Sequence, residues 1–440
     1  NATQANSFES LTFSNTPVSS VISDTVDTVT ATLSVDKTAV SEGAANITYT
    51  VTLTDALGNL VTAANAITVT TTQGIITIAA NASSGTLGKA IQVDDVYVDG
   101  ETITNAITAI VEADAGNAGS LENLVADNTA VSTVVSDTLD AVTAVLTVSS
   151  NGVDEGAVDL VYTVELQDAN GDPVIANNIV TVTTTLGVIT ITAGDSSNTL
   201  TIPIQGDDAF IDAETVSNAI TAVVETNAGQ ANSFENLGYN GTTLVTEISD
   251  TIDTVTLTLN DLTVVEGSGT AQITASLDSA PQTELTIVLS NGATITFGPA
   301  YVAGTDVSST AFAINNAEDL YLDSSSIALS VQSVTGGNFE DLDSSDTATV
   351  TVGDTTDIVT ATLSVDRVAL NEGAVDLVYT VTLRDAGGNL APANNTITVS
   401  TTQGDITILA GASTGSISLD VQDDDIYRDG ETVNNVITAI

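Results

Sequence analysis

Apolar and polar positions alternate one by one through much of this chain. In "ITYTVTL", residues 47–53, Ile47, Tyr49, Val51 and Leu53 fall on one side and threonines on the other; "LVYTVEL" from Leu160 and "LVYTVTL" from Leu377 repeat the pattern. A period of two predicts a strand with one face on a core and one in water. Threonine suits the wet face because it is β-branched and polar. Short segments of this kind follow one another between Gly/Asn/Asp turns such as "ALGN" and "ANGD", with no convincing helical stretch. The predicted class is all-β, an antiparallel β-sandwich. Seven strands are expected in the first such unit, near 28–35, 46–53, 66–72, 75–79, 86–93, 102–111 and 129–136.

The pattern is tandem. "SDTVDTVTATLSV" at 23 returns as "SDTLDAVTAVLTV" at 136, "SDTIDTVTLTLND" at 249 and "GDTTDIVTATLSV" at 353. The leading aspartates Asp24, Asp137, Asp250 and Asp354 are spaced by 113, 113 and 104 residues, a domain-sized period. The expected repeats are 24–136, 137–249, 250–353 and 354–440, the last lacking its closing strand, with 1–23 forming the last strand of a preceding or donated repeat.

Charge then narrows the function. Five Lys and Arg stand against 57 Asp and Glu, a formal net charge of -52. That field repels nucleic acid and anionic membrane surfaces. With 42% apolar residues the chain is nonetheless rich enough in hydrophobic side chains to fold. It has no Cys, hence no disulfide or thiolate chemistry, and no Met, as expected of a mature chain or a piece of a longer one. No apolar run is long enough to insert into a membrane.

Up-and-down topology says where the acids go. If the strands alternate in direction, the turns after strands one, three and five and the exit from strand seven share one pole. In the first repeat that gathers Glu42 of "SEGA", Asp94, Asp95, Asp99 and Glu101 of "VDDVYVDGET", and Asp137 and Asp140 of "SDTLD" at the joint with the next repeat. The same spacing gives Glu155, Asp207, Asp208, Asp212, Glu214, Asp250 and Asp253 in the second. Glu266, Glu318, Asp319, Asp323, Asp354 and Asp357 follow in the third, and Glu372, Asp424, Asp425, Asp429 and Glu431 in the fourth, with Asp24 and Asp27 before the first. Two like charges about 4 Å apart repel by roughly 4 kcal/mol at an effective dielectric near 20, so a cluster of this size calls for a cation. Hard oxygen donors in such number suit Ca²⁺, and the absence of His and Cys argues against zinc or copper. The bland alternative, a solvated acidic cap, is weakened by recurrence of the acids in register.

Other chemistry is excluded by composition. "GASTG", Gly411–Gly415, fits a nucleophile-elbow pattern, but there is no His to act as base, so it reads as a turn. "DANGD", Asp168–Asp172, imitates half of an EF-hand loop, with Pro173 and Ile179 where that loop needs Gly and an acid; a hairpin turn is expected. No enzyme is expected. With 3% aromatics and no Trp, neither is a carbohydrate-stacking platform.

Together, "VSEGA", "DDVYVDGET" and "SDTVDTVTATLSV", with "SFENL" and "GGNFEDL" before the last strand, resemble the extender repeats of giant RTX-type, type I secreted bacterial adhesins. "DDDIYRDGET" is also similar to the acidic signature of Calx-β domains, and its place at the linkers is similar to that in cadherins. The resemblance implies immunoglobulin-like sandwiches in an extended rod and calcium at the linkers. It also implies an extracellular, cell-surface spacer used in cell adhesion or biofilm formation, whose adhesive tip ligand is bound outside this segment. Repeat three departs from the pattern, with Glu318 for the first Asp and Ser325 at the Glu101 position, which implies a weaker or smaller site there. Two rival classes are a subunit of a surface filament or surface layer, and a calcium-dependent module gripping a sugar or ice. The implied partners are neighbouring repeats, in a longer covalent array, or identical chains head to tail by donor-strand addition.

Overall fold

The computed structural model describes residues 8–440, and among these every regular element is a β-strand. The chain divides into two compact units. One comprises 1–151, 158–204 and 215–247, the other 152–157, 205–214 and 248–440. Repeat one lies within the first unit, and repeats three and four within the second.

Repeat one has ten strands: β1 (Thr28–Val35), β2 (Ala39–Ser41), β3 (Ile47–Thr54), β4 (Ile67–Thr71), β5 (Gly74–Ile78), β6 (Ser84–Lys89), β7 (Glu101–Asn105), β8 (Ile107–Glu112), β9 (Asn123–Ala126) and β10 (Val131–Ser136). One sheet runs β6-β3-β1-β9; facing it are β2-β10-β7 and β5-β4-β8. The alternation in β3 is realised in full: Ile47, Tyr49, Val51 and Leu53 are buried, packed with Leu33, Ile67, Val69, Ile76, Ile78, Ile103 and Val135. This is the predicted sandwich.

Three details differ from the sequence expectation. The first strand ends at Val35 as expected, and the Asp36 carboxylate accepts the Thr48 amide at 2.7 Å. The chain then crosses to the opposite sheet, where β2 pairs parallel with β10. A further short strand, β9, pairs parallel with β1, so two parallel pairings join the antiparallel ladders. The strand expected over 102–111 is interrupted at Ala106. There the Thr72–Gln73 turn wedges in, Asn105 Oδ1 accepting from the Thr72 hydroxyl and the Gln73 amide, each at 3.1 Å. Asn105 is wholly buried, which accounts for a polar residue in mid-strand.

In repeat two the corresponding sheets run through Ser197–Ile202, Leu160–Gln167, Ala141–Val148 and Asn236–Tyr239, and through Val188–Ile191, Val180–Thr184 and Ile220–Glu225. Repeat three replaces the broken pair β7/β8 by one strand, Ser325–Gly336. In repeat four a cavity of about 1250 Å³ lies between the segments equivalent to β2 and β7, which flank β10 in repeat one; Leu377, Tyr379 and Leu419 line it. Of the closing strand expected over 1–23, residues 1–7 lie outside the described residues; 8–23 form no strand, and Val18, Val21 and Ile22 are exposed. The expected turns form at Asp168–Asp172 and at Gly411, with Thr414 and Gly415 already in the strand Thr414–Leu419. Asp168 Oδ1 accepts the amides of Asn170 and Asp172, and Gly171 and Gly411 have positive φ.

Candidate metal centre

The acidic pole is built from the "SEGA" turn upward. Gly43 sits at φ 69°, and a Cβ placed on it would come within 2.8 Å of the Asp94 Cβ. Only glycine fits that conformation and that approach. Its amide donates to the Gln92 carbonyl at 3.0 Å, which seats the segment carrying Asp94, Asp95 and Asp99 beside Glu42. Gly156, Gly267 and Gly373 do the same against Asp207, Glu318 and Asp424.

Each acid has a fixed task. Glu42, 4% exposed, accepts the Thr138 amide at 2.7 Å through Oε1. Asp94 accepts the Thr138 hydroxyl, Asp95 the Tyr97 amide at 2.8 Å, and Asp99 the Gln92 side-chain amide at 2.6 Å. Asp137 accepts the Asp99 amide at 3.3 Å. Carboxylate oxygens of Glu42, Asp95 and Asp99 lie within 4.8 Å of one another. The same spacing holds for Glu155, Asp212 and Asp250, for Glu266, Asp319 and Asp323, and for Glu372, Asp425 and Asp429.

Some expected residues stay apart. Glu101, Glu214 and Glu431 are exposed and belong to none of these groups, as do Asp24, Asp27 and Asp357. Asp140 and Asp253 reach the site through their backbone amides. In repeat three Glu318 keeps the bond made by Asp94, accepting the Thr355 hydroxyl at 2.6 Å; Ser325 replaces an acid that in repeat one is exposed and outside the carboxylate groups.

Sequence reasoning missed one participant. Glu235, in "SFENL", accepts the Asp140 amide at 2.7 Å, and its carboxylate joins Glu42 and Asp137 within 4.8 Å. Glu340, in "NFEDL", accepts the Asp253 amide at 2.7 Å and interacts with Glu155. Recurrence of that glutamate in register was the available signal. It is delivered by a clasp in which the loop at 96–98 pairs with the segment at 232–235: Val98 donates to the Ser233 carbonyl at 2.8 Å and Glu235 to that of Val96 at 3.1 Å. Tyr97 stacks on Phe234 and gives its hydroxyl to the Ile175 carbonyl at 2.6 Å. In the second unit Phe210 and Phe339 stack alike, and the Tyr321 hydroxyl donates to the Pro392 carbonyl at 2.8 Å.

The electrostatics are strained. Burial, opposed by the Asp140 amide and reinforced by the charges of Glu42, Asp137 and Asp140, pushes the Glu235 carboxyl up to about 7. Asp99 is raised by burial and then by Asp95, Glu42 and Asp137; Asp212 and Asp323 are raised chiefly by burial. For Glu340 the Asp253 amide pulls down, but burial and the charges of Glu155 and Asp250 outweigh it. Most telling, Glu42 Oε2, Glu235 Oε1, Glu266 Oε2 and Glu340 Oε1 are buried with no hydrogen-bond partner. Unpaired buried carboxylate oxygens are costly. Glu42 and Glu235 bring such hard oxygen donors together with Asp137, a donor set that fits Ca²⁺.

A run of β-sandwich repeats joined at acidic, clasped poles is the architecture that sequence comparison places in a family. The LapA domain matches residues 27–138, 140–251, 253–355 and 357–440. The chain therefore belongs to the LapA domain family of biofilm adhesins, as a stretch of adhesin repeats. No curated protein matches it in sequence. Among solved structures, CBD12 from CALX1.2 is 8% identical, covering 47% of this chain and 99% of its own, with a TM-score of 0.19. Domains 4–9 of the surface layer protein SbsC are 13% identical over 81% of this chain and 53% of theirs, TM-score 0.16. The BSP domain of a biofilm associated protein is 12% identical over 77% and 68%, TM-score 0.15. Superpositions of that quality bear on neither fold nor function.

Proposed function

We propose that the chain is an extracellular spacer of an RTX-type bacterial surface adhesin, a structural element whose joints are stiffened by calcium and which holds an adhesive tip away from the cell. The observation that carries this reading is the buried, partnerless Oε2 of Glu42, set among Asp95, Asp99, Asp137 and Glu235 at the boundary of two repeats. Glu42, Asp95, Asp99 and Asp137 would hold the ion, as would Glu155, Asp208, Asp212 and Asp250 at the next joint. The ion supplies the positive charge that the sequence lacks: no Lys or Arg occurs between Lys89 and Arg367.

A spacer needs joints that resist bending, and an ion bound only by the docked state stabilises that state by mass action. Extracellular calcium sites work at dissociation constants of about 10⁻⁴ to 10⁻³ M, so millimolar calcium suffices. Small-angle scattering with and without chelator tests the proposal. Chelation should shorten the particle and lower its melting temperature; an unchanged profile and melt would sink it.

A further inference from the structure

We infer that the glutamate of the "SFENL"-type segment, Glu235 in repeat two and Glu340 in repeat three, is a cation ligand donated across the joint by the following repeat. With Glu42 and Asp137, Glu235 completes a carboxylate triad that adjoins the one formed by Glu42, Asp95 and Asp99 and that exists only when two repeats are docked. The inference rests on the calcium reading above and adds to it both a residue and a coupling.

The two triads meet at Glu42, one with Asp95 and Asp99 on its own repeat and one with Asp137 and Glu235. Its Oε1 is used by the Thr138 amide, while Oε2 is buried and partnerless. Glu235 is divided in the same way, with Oε2 on the Asp140 amide and Oε1 buried and partnerless. At the next joint Glu340 Oε2 takes the Asp253 amide, while its other oxygen is buried where the carboxylate meets that of Glu155.

Repeat one supplies an internal control. Glu122 of "SLENL" accepts the Asp27 amide at 2.6 Å just as Glu235 accepts that of Asp140, yet Glu122 is exposed. The amide bond is therefore the local duty of this glutamate. Burial of its second oxygen arises only where a preceding repeat presents Glu42 or Glu155. Burying the second oxygen unpaired is expensive, and at the joint it is buried beside another carboxylate. Two species can occupy the space between such carboxylates, a cation or a proton shared by the pair.

Calcium counting by equilibrium dialysis distinguishes them, using the full chain at mildly alkaline pH with Glu235→Gln, Glu340→Gln, the double variant and Glu122→Gln. If the glutamates are ligands, each single variant at a joint binds one ion fewer, the double variant two fewer, and Glu122→Gln binds the full number, all with an unchanged far-ultraviolet circular dichroism spectrum. Glutamine matches glutamate in shape and can replace a proton-sharing carboxyl, so an unchanged count and affinity in the double variant overturns the inference while leaving calcium at Glu42, Asp95 and Asp99 intact. An equal loss in Glu122→Gln also overturns it. A wild-type chain that binds no calcium overturns the underlying reading as well.

Discussion

The ring of Tyr97 lies on that of Phe234, centroids 5.5 Å apart and planes inclined by 22°, and the two residues also form an isolated antiparallel bridge through their main chains. An aromatic pair adds about 0.5–1.5 kcal/mol beyond its buried area. Tyr97→Ala should therefore loosen the joint between repeats one and two while leaving the sandwich of repeat one folded. Limited proteolysis in calcium should show faster cleavage near the joint, with little change in the main unfolding transition. Unfolding of the whole repeat would refute the separation of clasp from core.

Gly43→Ala attacks the same joint from the other side. The substitution places a methyl group 2.8 Å from the Asp94 Cβ and forces φ 69° on an L-residue. Left-handed backbone alone costs a non-glycine residue about 1–2 kcal/mol. The relief available is movement of the Asp94–Asp99 segment, which would dismantle the proposed cation site. Calcium titration should show weakened binding for Gly43→Ala, whereas Gly58→Ala, where a Cβ meets nothing within 4 Å, should leave affinity unchanged although its φ is also positive.

The sandwich and its period were legible because burial enforces a strict alternation: each inward position of 47–53 must be apolar, and each is. The acidic pole was legible because "SEGA", the decapeptide and "SDTLD" recur at fixed spacing. Other features depend on what a side chain meets after folding. Glu101 has the composition of a ligand, but as the first residue of β7 it faces solvent. Glu235 lies well along repeat two, and only the pairing of 96–98 with 232–235 brings it to Glu42. The break at Ala106 depends on Asn105 meeting the Thr72 hydroxyl, a contact between turns that no local period encodes.

Core and surface substitutions calibrate the joint variants. Leu53 is fully buried, and Leu53→Ala should cost about 2–5 kcal/mol in denaturant unfolding. Asp127, a half-buried acid outside the motif, accepts both the amide and the hydroxyl of Thr129 on its carboxylate, at 3.0 and 2.6 Å. Asp127→Ala should lower the melting temperature slightly without altering calcium binding. Asp405, exposed on a hairpin, is the better blank and should stay within about 0.5 kcal/mol.

The Glu235 carboxyl makes the joint sensitive to pH, with a sign that calcium reverses. Its folded value of about 7 lies above the ordinary 4.5, so the folded state binds the proton more tightly than the unfolded chain does. In chelator the penalty for ionising it is absent below about 4.5, grows as the pH rises from 4.5 to 7, and is constant above. Asp99, Asp212 and Asp323, also raised by burial, act in the same direction. The calcium-free chain should thus melt at a higher temperature in mild acid than at neutral pH, opposite to a protein held by paired carboxylates. Calcium needs the ionised form and competes with the proton, so its stabilising effect should increase with pH and level off above about 7. Melting curves with and without calcium across this range check both limbs. Glu235→Gln should flatten the chelator curve, and a calcium-free wild-type melt that is already flat between 4.5 and 7 would show that this carboxyl carries no such penalty.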